Sequence, residues 1–280
     1  MAVTNTFTPI ANSCQTILGC TIDLENNLPI TKINNVATTQ NTLYNVLPST
    51  LPPNSGPSKL QYFGIGIGGR TFGANKTSPA PVDPQNMSMY TPIPIRCVPE
   101  SQDLSATDRA NLRMRQVIQA PNNLGTYVAY WYQLITFVDT QVQYTKPDTT
   151  GVAKPFTLDT SYLKPTPPSV DANGTVIDDS SDIDVGVSTQ FNVTGANVLE
   201  AINVLYGGDT DLAVISEFGV FSGADIQNTV TDYKGNPFSY TEACMLQMCQ
   251  HYTWNGTDMA VATRSISGGF TFSSSTLILT

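Results

Sequence analysis

Apolar and polar residues alternate along several stretches of this chain, and the clearest stretch covers residues 108–144. It contains two alternating runs joined by residues 121–125, which include Pro, Asn and Gly. A short connection of this composition between two alternating runs predicts a β-hairpin with a longer loop. Aromatic and β-branched residues dominate the second arm, as is typical of a half-buried pleated surface. The hairpin therefore indicates a mainly β fold.

A second alternating stretch, residues 59–70, places glycine on one face and apolar side chains on the other. Gly64, Gly66 and Gly69 match the letters of the GxGxxG dinucleotide motif. That motif requires a helix directly after the glycines, but residues 71–81 are rich in Pro and cannot form one. The stretch is instead predicted to be a strand whose bare face lets another backbone approach closely.

One good helix candidate covers residues 196–206, with Thr194 as its N-cap and two glycines after its end. The spacing of Ser105 and Asp108 resembles a capping box and predicts one or two helical turns before the hairpin. Three arginines follow, and a solvated face is expected for them, with binding of acidic neighbours as the alternative: Arg109, Arg113 and Arg115. Further strands are predicted at residues 212–221, 238–254 and 265–280. Residues 238–254 fit a helix about as well, but the aromatic residues at their end favour a strand.

These patterns predict a mainly β protein with an antiparallel β-sandwich-like architecture in two parts, one main helix and long loops. Residues 1–58 are expected to form an extended N-terminal arm and loops. Residues 59–165 are predicted to be a β-rich domain that contains the hairpin, and residues 166–280 an acidic β-rich domain that contains the helix. The boundary is placed at the Pro-rich residues 164–174, where the charge also changes.

Charge is scarce in this sequence and unevenly distributed. Charged residues make up 12% of the chain, whereas about 25% is usual for soluble domains. Up to residue 165 the chain has 11 basic and 9 acidic residues, and beyond it 2 basic and 13 acidic residues. A surface so poor in charge favours a subunit covered by neighbours, with a Thr/Asn-rich monomer as the alternative.

The charge distribution also bears on the partners. An acidic half argues against nucleic acid as the main partner, because phosphate contacts need Lys and Arg. The acidic half of one copy is expected to meet a less acidic surface of another, with a merely solvated acidic half as the alternative. Apolar and backbone contacts from the glycine-rich strand and residues 1–58 are expected to supply most of the affinity.

Candidate chemistry is sparse, and no catalytic residue, cofactor or metal site is predicted. The single histidine, His251, shares a strand face with Cys249, but core packing is the preferred interpretation because the sequence supplies no orienting carboxylate. The acidic residues at 171–184 lack the spacing of an EF-hand loop, so a solvated loop is expected. No run approaches the ~18 apolar residues of a membrane span. The five cysteines contain no CxxC pair and are expected to be reduced, mostly buried thiols of a cytoplasmic product.

Several blocks of this sequence resemble one group of structural proteins from tailed-bacteriophage virions. The blocks lie at residues 62–70, 90–99, 103–115, 127–131, 198–209, 215–223 and 251–256. The similarity covers about residues 60–280 and implies a structural component of the particle, without implying any functional residues. Its expected location is the virion, after assembly in the host cytoplasm.

The expected function is that of a collar subunit in a ring at the head-to-tail neck. A tail baseplate component is the alternative. The expected partners of the protein are copies of itself and other virion proteins of the neck or tail, with no membrane partner. A receptor- or glycan-binding module is a third possibility and would need an exposed Trp131 or Trp254. Strand alternation places both rings in the core instead.

Overall fold

The computed structural model describes residues 4–6, 12–16, 19–20, 58–70, 78–121, 124–138, 143–148, 150–157, 172–173, 183–268 and 271–276. Its strands are β1 (Thr4–Thr6), β2 (Asn12–Gln15), β3 (Lys59–Gly66), β4 (Pro92–Ile93), β5 (Arg96–Pro99), β6 (Leu112–Gln119), β7 (Thr126–Leu134), β8 (Thr136–Phe137), β9 (Gln143–Pro147), β10 (Ala153–Pro155), β11 (Ile183–Thr194), β12 (Val214–Thr231), β13 (Pro237–Asp258), β14 (Ser265–Gly268) and β15 (Thr271–Thr276). The main helix is α1 (Gly195–Tyr206), and short 3-10 turns lie at Glu100–Gln102 and Thr210–Leu212.

The strands form two sheets, of eight and seven strands. The pairs whose register is described are antiparallel apart from β1 with β14, which is parallel. The predicted fold class is therefore confirmed: the protein is mainly β, with two sheets, a β-sandwich-like architecture and one main helix.

The eight-stranded sheet has the order β2-β13-β12-β3-β7-β5, with β4 paired to β3 and β6 paired to β7. The glycine-rich strand β3 lies in its interior, with β12 on one side and β4 and β7 on the other. Side chains of the same chain cover its bare face. A Cβ added at Gly64 would lie 2.6 Å from the Tyr132 ring, and one added at Gly66 would collide with Glu217 Oε1. The expectation that this strand contacts a neighbouring copy is therefore wrong, since the chain itself covers both its edges.

The predicted hairpin is formed by β6 and β7, with Leu112 opposite Gln133 and Gln119 opposite Thr126. Gly125 has a φ of 102°, a left-handed conformation that favours glycine, and its carbonyl accepts a hydrogen bond from the Ala120 N–H. The segment before the hairpin forms hydrogen-bonded turns at residues 106–111 rather than longer helical structure. It ends there because Leu112 already belongs to β6.

Helix α1 begins and ends where its sequence predicts. Thr194 Oγ1 accepts a hydrogen bond from the Asn197 N–H, and Gly207 ends the helix with a φ of 67°. Val198 and Ile202 lie one turn apart and are both fully buried, so one apolar face of the helix packs into the protein. No helix among the described residues is long and apolar enough to cross a membrane.

The chain divides into two compact units, residues 1–135 with 192–267 and residues 136–191 with 268–280. These units do not coincide with the domains predicted at residues 59–165 and 166–280. Strand β12 lies beyond the predicted boundary, yet it pairs with β3 in one sheet. Most of the boundary, residues 164–174, lies outside the described residues.

The predicted strands at residues 212–221 and 238–254 correspond to β12 and β13, which pair along most of their lengths. The last predicted strand corresponds to two, β14 and β15. Trp131 and Trp254 are only 7% and 8% exposed, which confirms their expected place in the core. Among the described cysteines, Cys97, Cys244 and Cys249 are buried thiols and Cys20 is an exposed one.

Candidate functional site

Glu217 is the most completely enclosed charged group near the glycine-rich strand. Strand β12 carries it to the interior, where its side chain is 0% exposed. Its Oε1 accepts hydrogen bonds from the N–H groups of Gly68 at 3.1 Å and Thr91 at 2.6 Å. Its Oε2 accepts from the Tyr90 N–H at 2.8 Å and lies 3.2 Å from His251 Nε2. Four donors therefore meet one buried carboxylate, as such a group requires.

Gly66 makes room for this arrangement. A Cβ at Gly66 would collide with the Glu217 carboxylate and the Thr91 carbonyl. The neighbouring Gly68 and Gly69 N–H groups point to side chains of β12, Glu217 and Ser216. In a phosphate-binding loop such N–H groups would face the ligand. The glycine motif thus lets β3 and β12 pack closely together. Because these N–H groups already bind protein side chains, the geometry as well as the sequence argues against a dinucleotide site.

His251 belongs to the same buried cluster. Its Nδ1 lies 3.3 Å from Asn86 Nδ2, and its ring centroid lies 5.4 Å from that of Tyr90. Because the Asn86 amide donates to Nδ1, the hydrogen on Nε2 is free to point to Glu217. The imidazole is 0% exposed and its two nitrogens have protein partners. It holds the loop at residues 86–91 against β12 and β13.

The orienting carboxylate that the sequence did not supply for His251 is therefore present as Glu217. The two residues are 34 positions apart and meet because β12 and β13 are neighbouring strands. A signal did exist, since Glu217 interrupts an otherwise apolar run that predicts a buried strand. Cys249 Sγ, by contrast, contacts the Gln247 carbonyl at 3.5 Å. The side-chain partner of His251 in this cluster is therefore Glu217 and not Cys249.

Glu242 is a second buried carboxylate, on β13. It accepts hydrogen bonds from the N–H groups of Met114 at 2.5 Å, Ala243 at 2.7 Å and Arg115 at 2.8 Å, and from the Tyr240 hydroxyl at 3.1 Å. Burial raises the pKa of Glu242, although these hydrogen bonds oppose the shift. Met114 has a φ of 57°, which is uncommon for a residue with a side chain. Glu242 stabilises this local conformation by binding two successive N–H groups of β6.

Two arginines of β6 form partly buried ion pairs. Arg113 Nε and Nη2 each lie 2.8 Å from an oxygen of Asp225, a bidentate contact that only a guanidinium provides. Arg115 binds Asp103 Oδ2 through Nε at 3.0 Å and Nη2 at 2.8 Å. Both guanidinium groups are almost fully buried. The expected solvated face is therefore wrong for these two residues.

Two tyrosine hydroxyls complete the same ion pairs. Tyr62 donates to Asp225 at 2.7 Å, and Tyr130 donates to Asp103 at 2.6 Å. Burial, together with the neighbouring carboxylate, raises the pKa of both phenols far above the usual value, so both stay protonated donors. The third arginine, Arg109, lies with its guanidinium carbon 4.4 Å from the centroid of the Phe238 ring.

The far ends of β12 and β13 form a polar ribbon, defined here as residues 227–241. Strand β12 pairs with β3 only as far as Gly223. Beyond that point the described part of the chain gives the two strands only each other as paired neighbours. Their exposed face carries uncharged side chains that bond across the strands, Gln227 to Thr241 at 3.0 Å and Thr229 to Ser239 at 3.1 Å.

The tip of the polar ribbon is a tight turn organised by Asp232. Its Oδ1 accepts hydrogen bonds from the N–H groups of Lys234 and Asn236, both at 2.8 Å. Gly235 takes a left-handed φ of 83°, as the turn requires. Tyr233 is 50% exposed at this tip, with the Lys234 ammonium 5.3 Å from its ring centroid. The ribbon thus presents hydrogen-bonding groups and one aromatic ring to its surroundings.

The acidic residues at 171–184 carry the oxygen ligands that a hard cation such as calcium would need. Of these, Ala172, Asn173, Ile183 and Asp184 are described, and the side-chain environment of the acidic cluster lies outside the described residues. Within the described ranges, no group of three or more His, Cys, Asp or Glu residues is placed to hold a metal ion. The solvated loop expected for this stretch stays a prediction.

Comparison with known proteins gives one family. Residues 3–275 match the model described as "Family of unknown function (DUF7208)". Neither the curated proteins nor the solved structures contain a match. Because the match extends over nearly the whole sequence, the chain belongs to DUF7208.

Proposed function

We propose that this member of DUF7208 is a structural component of a tailed-phage virion and forms a ring-like oligomer at the head-to-tail neck. The sequence blocks given above support the virion assignment. The polar ribbon is the single structural observation that carries the proposed assembly. It offers an uncharged hydrogen-bonding face, which suits a contact repeated between copies whose surfaces are poor in charge.

The buried polar groups support a structural role rather than a chemical one. The donors around Glu217 and Glu242 come from the chain itself and hold strands and loops together. Networks in which each member is satisfied make a fold rigid and unique. A rigid subunit suits a ring, since small angular errors between copies would prevent closure.

The charge distribution supports a heterologous contact between copies. The part of the chain beyond residue 165 carries 13 acidic and 2 basic residues. Two such surfaces facing each other would repel, so the acidic part of one copy is expected to meet a different surface of the next. Head-to-tail contacts of this kind close into rings when the rotation permits. Exposed charge pairs contribute little, so most of the affinity is assigned to apolar and main-chain contacts.

Imaging of the purified particle tests the location, and mass measurement of the purified chain tests the oligomer. We expect labelled chain at the neck and a ring that survives moderate salt. A ring that dissociates in moderate salt would mean that charge pairs, not main-chain contacts, hold it. A monomer in the mature particle would refute the proposal.

A tail baseplate component is the second candidate, and label at the distal end of the tail would favour it. The same low charge and polar ribbon suit a baseplate ring equally well. A glycan-binding module has no observation in its favour here, since the two tryptophans that would line its groove are buried.

A further inference from the structure

The first residues of the chain add strands to the edges of both sheets. In the register of β1 with β14, Thr4 lies opposite Ser265 and Thr6 opposite Ser267. Strand β2 pairs antiparallel with the outer edge of β13, with Gln15 opposite Gln250 and Asn12 opposite Thr253. Both strands are short, at three and four residues. Main-chain hydrogen bonds of this kind bind an added strand with little dependence on its sequence.

The segment after β2 binds β13 more specifically. Thr16 is fully buried; its N–H donates to the Cys249 carbonyl at 2.9 Å and its Oγ1 to the Met248 carbonyl at 2.5 Å. The Gly19 N–H donates back to Thr16 Oγ1 at 3.0 Å. A Cβ on Gly19 would lie 2.5 Å from the Cys249 carbonyl oxygen, so only glycine fits at this position. The edge of β13 at Met248 and Cys249 therefore carries a socket shaped for Thr16 and Gly19.

The covalent connection permits this segment to reach another molecule. Residues 21–57 separate the socket-binding segment from the last residues before β3, and a chain of that length can span on the order of 100 Å. The entropic cost of closing a connection rises only slowly with its length. In an assembled ring, a socket on an adjacent copy at a similar distance is offered to this segment at a similar effective concentration, so binding to the socket of the same chain has no large advantage.

We infer that β1, β2, Thr16 and Gly19 are exchanged between neighbouring copies, so that β1 and β2 of one subunit complete the sheets of the next. This inference rests on the ring of the proposed function. Exchange uses contacts that the fold already makes, so each interface gains a socket and two strand pairings without a new surface. Residues 1–20 contain no charged side chain. The resulting contact is consequently insensitive to salt, unlike an interface of ion pairs.

Cysteine cross-linking distinguishes exchange from self-binding. Gln15 and Gln250 lie opposite each other, and neither is fully buried. Two single variants are made: one chain carries Gln15→Cys alone, and the other carries Gln250→Cys alone. The two full-length chains are co-expressed, assembled and oxidised, and the products are separated by mass under denaturing, non-reducing conditions. Each variant assembled on its own is the matched control, since it contains the same native cysteines.

Exchange predicts a covalent dimer in the co-assembled ring that is absent from both controls and disappears on reduction. The Gln15→Cys/Gln250→Cys double variant then gives a ladder of linked subunits. If rings form but the double variant yields only internally linked single chains, exchange is wrong and the ring proposal stands. If the chain forms no oligomer under any condition, both proposals fail together.

Discussion

Replacing Glu217 by glutamine isolates the buried carboxylate that joins β3, β12 and the loop at residues 86–91. Glutamine has nearly the same shape, so the substitution leaves the packing almost unchanged. The carboxylate accepts from three backbone N–H groups and faces His251 Nε2 at 3.2 Å. An amide offers only one acceptor oxygen. In either orientation its NH2 group points at one or two backbone N–H groups that then have no acceptor.

The expected loss follows from these contacts. A buried donor left without a partner costs about 1–3 kcal/mol, and hydrogen bonds to a charged group are worth about 1.5–3 kcal/mol each. We therefore expect Glu217→Gln to lower the free energy of unfolding by about 2–4 kcal/mol. The matched control is Glu200→Gln, which breaks the partly exposed ion pair with Arg96. Exposed pairs of that kind contribute less than about 1 kcal/mol.

Tryptophan fluorescence during denaturant unfolding measures the difference. The chain has two tryptophans, and Trp131 and Trp254 both lie in the unit formed by residues 1–135 and 192–267, which also contains Glu217. The signal therefore reports the unit that the substitution affects. If Glu217→Gln and Glu200→Gln have the same unfolding midpoint, the buried carboxylate does not hold β3, β12 and the loop at residues 86–91 together.

Three further predictions concern the same unit. Gly66→Ala adds a Cβ that collides with Glu217, so we expect a loss of about 1–3 kcal/mol in unfolding experiments; an unchanged midpoint would contradict the close approach. Burial alone would raise the pKa of Asp225, but hydrogen bonds from Arg113 and Tyr62 hold it below 3.8, so its stabilisation is present above that pH and lost as the pH falls. Asp225→Asn should accordingly destabilise the protein at pH 7, and by progressively less as the pH falls below the usual pKa of an aspartate. His251→Ala should cost about 2–4 kcal/mol, yet under the proposed virion role variant protein that folds should enter particles normally; normal folding with failed incorporation would reveal a chemical role for the imidazole.

The local elements of this protein are determined by sequence that lies within each element. The hairpin follows from two alternating runs and a Pro-Asn-Asn-Leu-Gly connection. Helix α1 follows from its apolar spacing, the Thr194 cap and the glycine at its end. These features depend on residues within a few positions of each other, so no knowledge of the rest of the chain is needed. The strand at residues 59–66 was predictable for the same reason.

The polar core was decided by the tertiary structure. Glu217 and His251 are 34 positions apart, Arg113 and Asp225 are 112, and Met114 and Glu242 are 128. Alternation indicates which face of a strand is buried, but it does not say which strand lies beside it. A solvated face is the default expectation for the three arginines, because nothing nearby in the sequence shows which acidic groups they would bind. Their actual surroundings come from β12, β13 and residues 100–104, which only the folded chain brings to them.

The order of strands explains the remaining differences. The glycine-rich strand was recognised from its pattern, but its place inside a sheet depends on the pairing of β3 with β12, and their sequences are separated by about half the chain. Local sequence sets the shape of each strand, whereas long-range pairing sets which of its edges and faces remain exposed. The sequence by itself therefore determined the type of the main elements, namely the hairpin, helix α1 and the strands β3, β12 and β13. The tertiary structure alone decided which charged groups are buried together and which surfaces are left for partners.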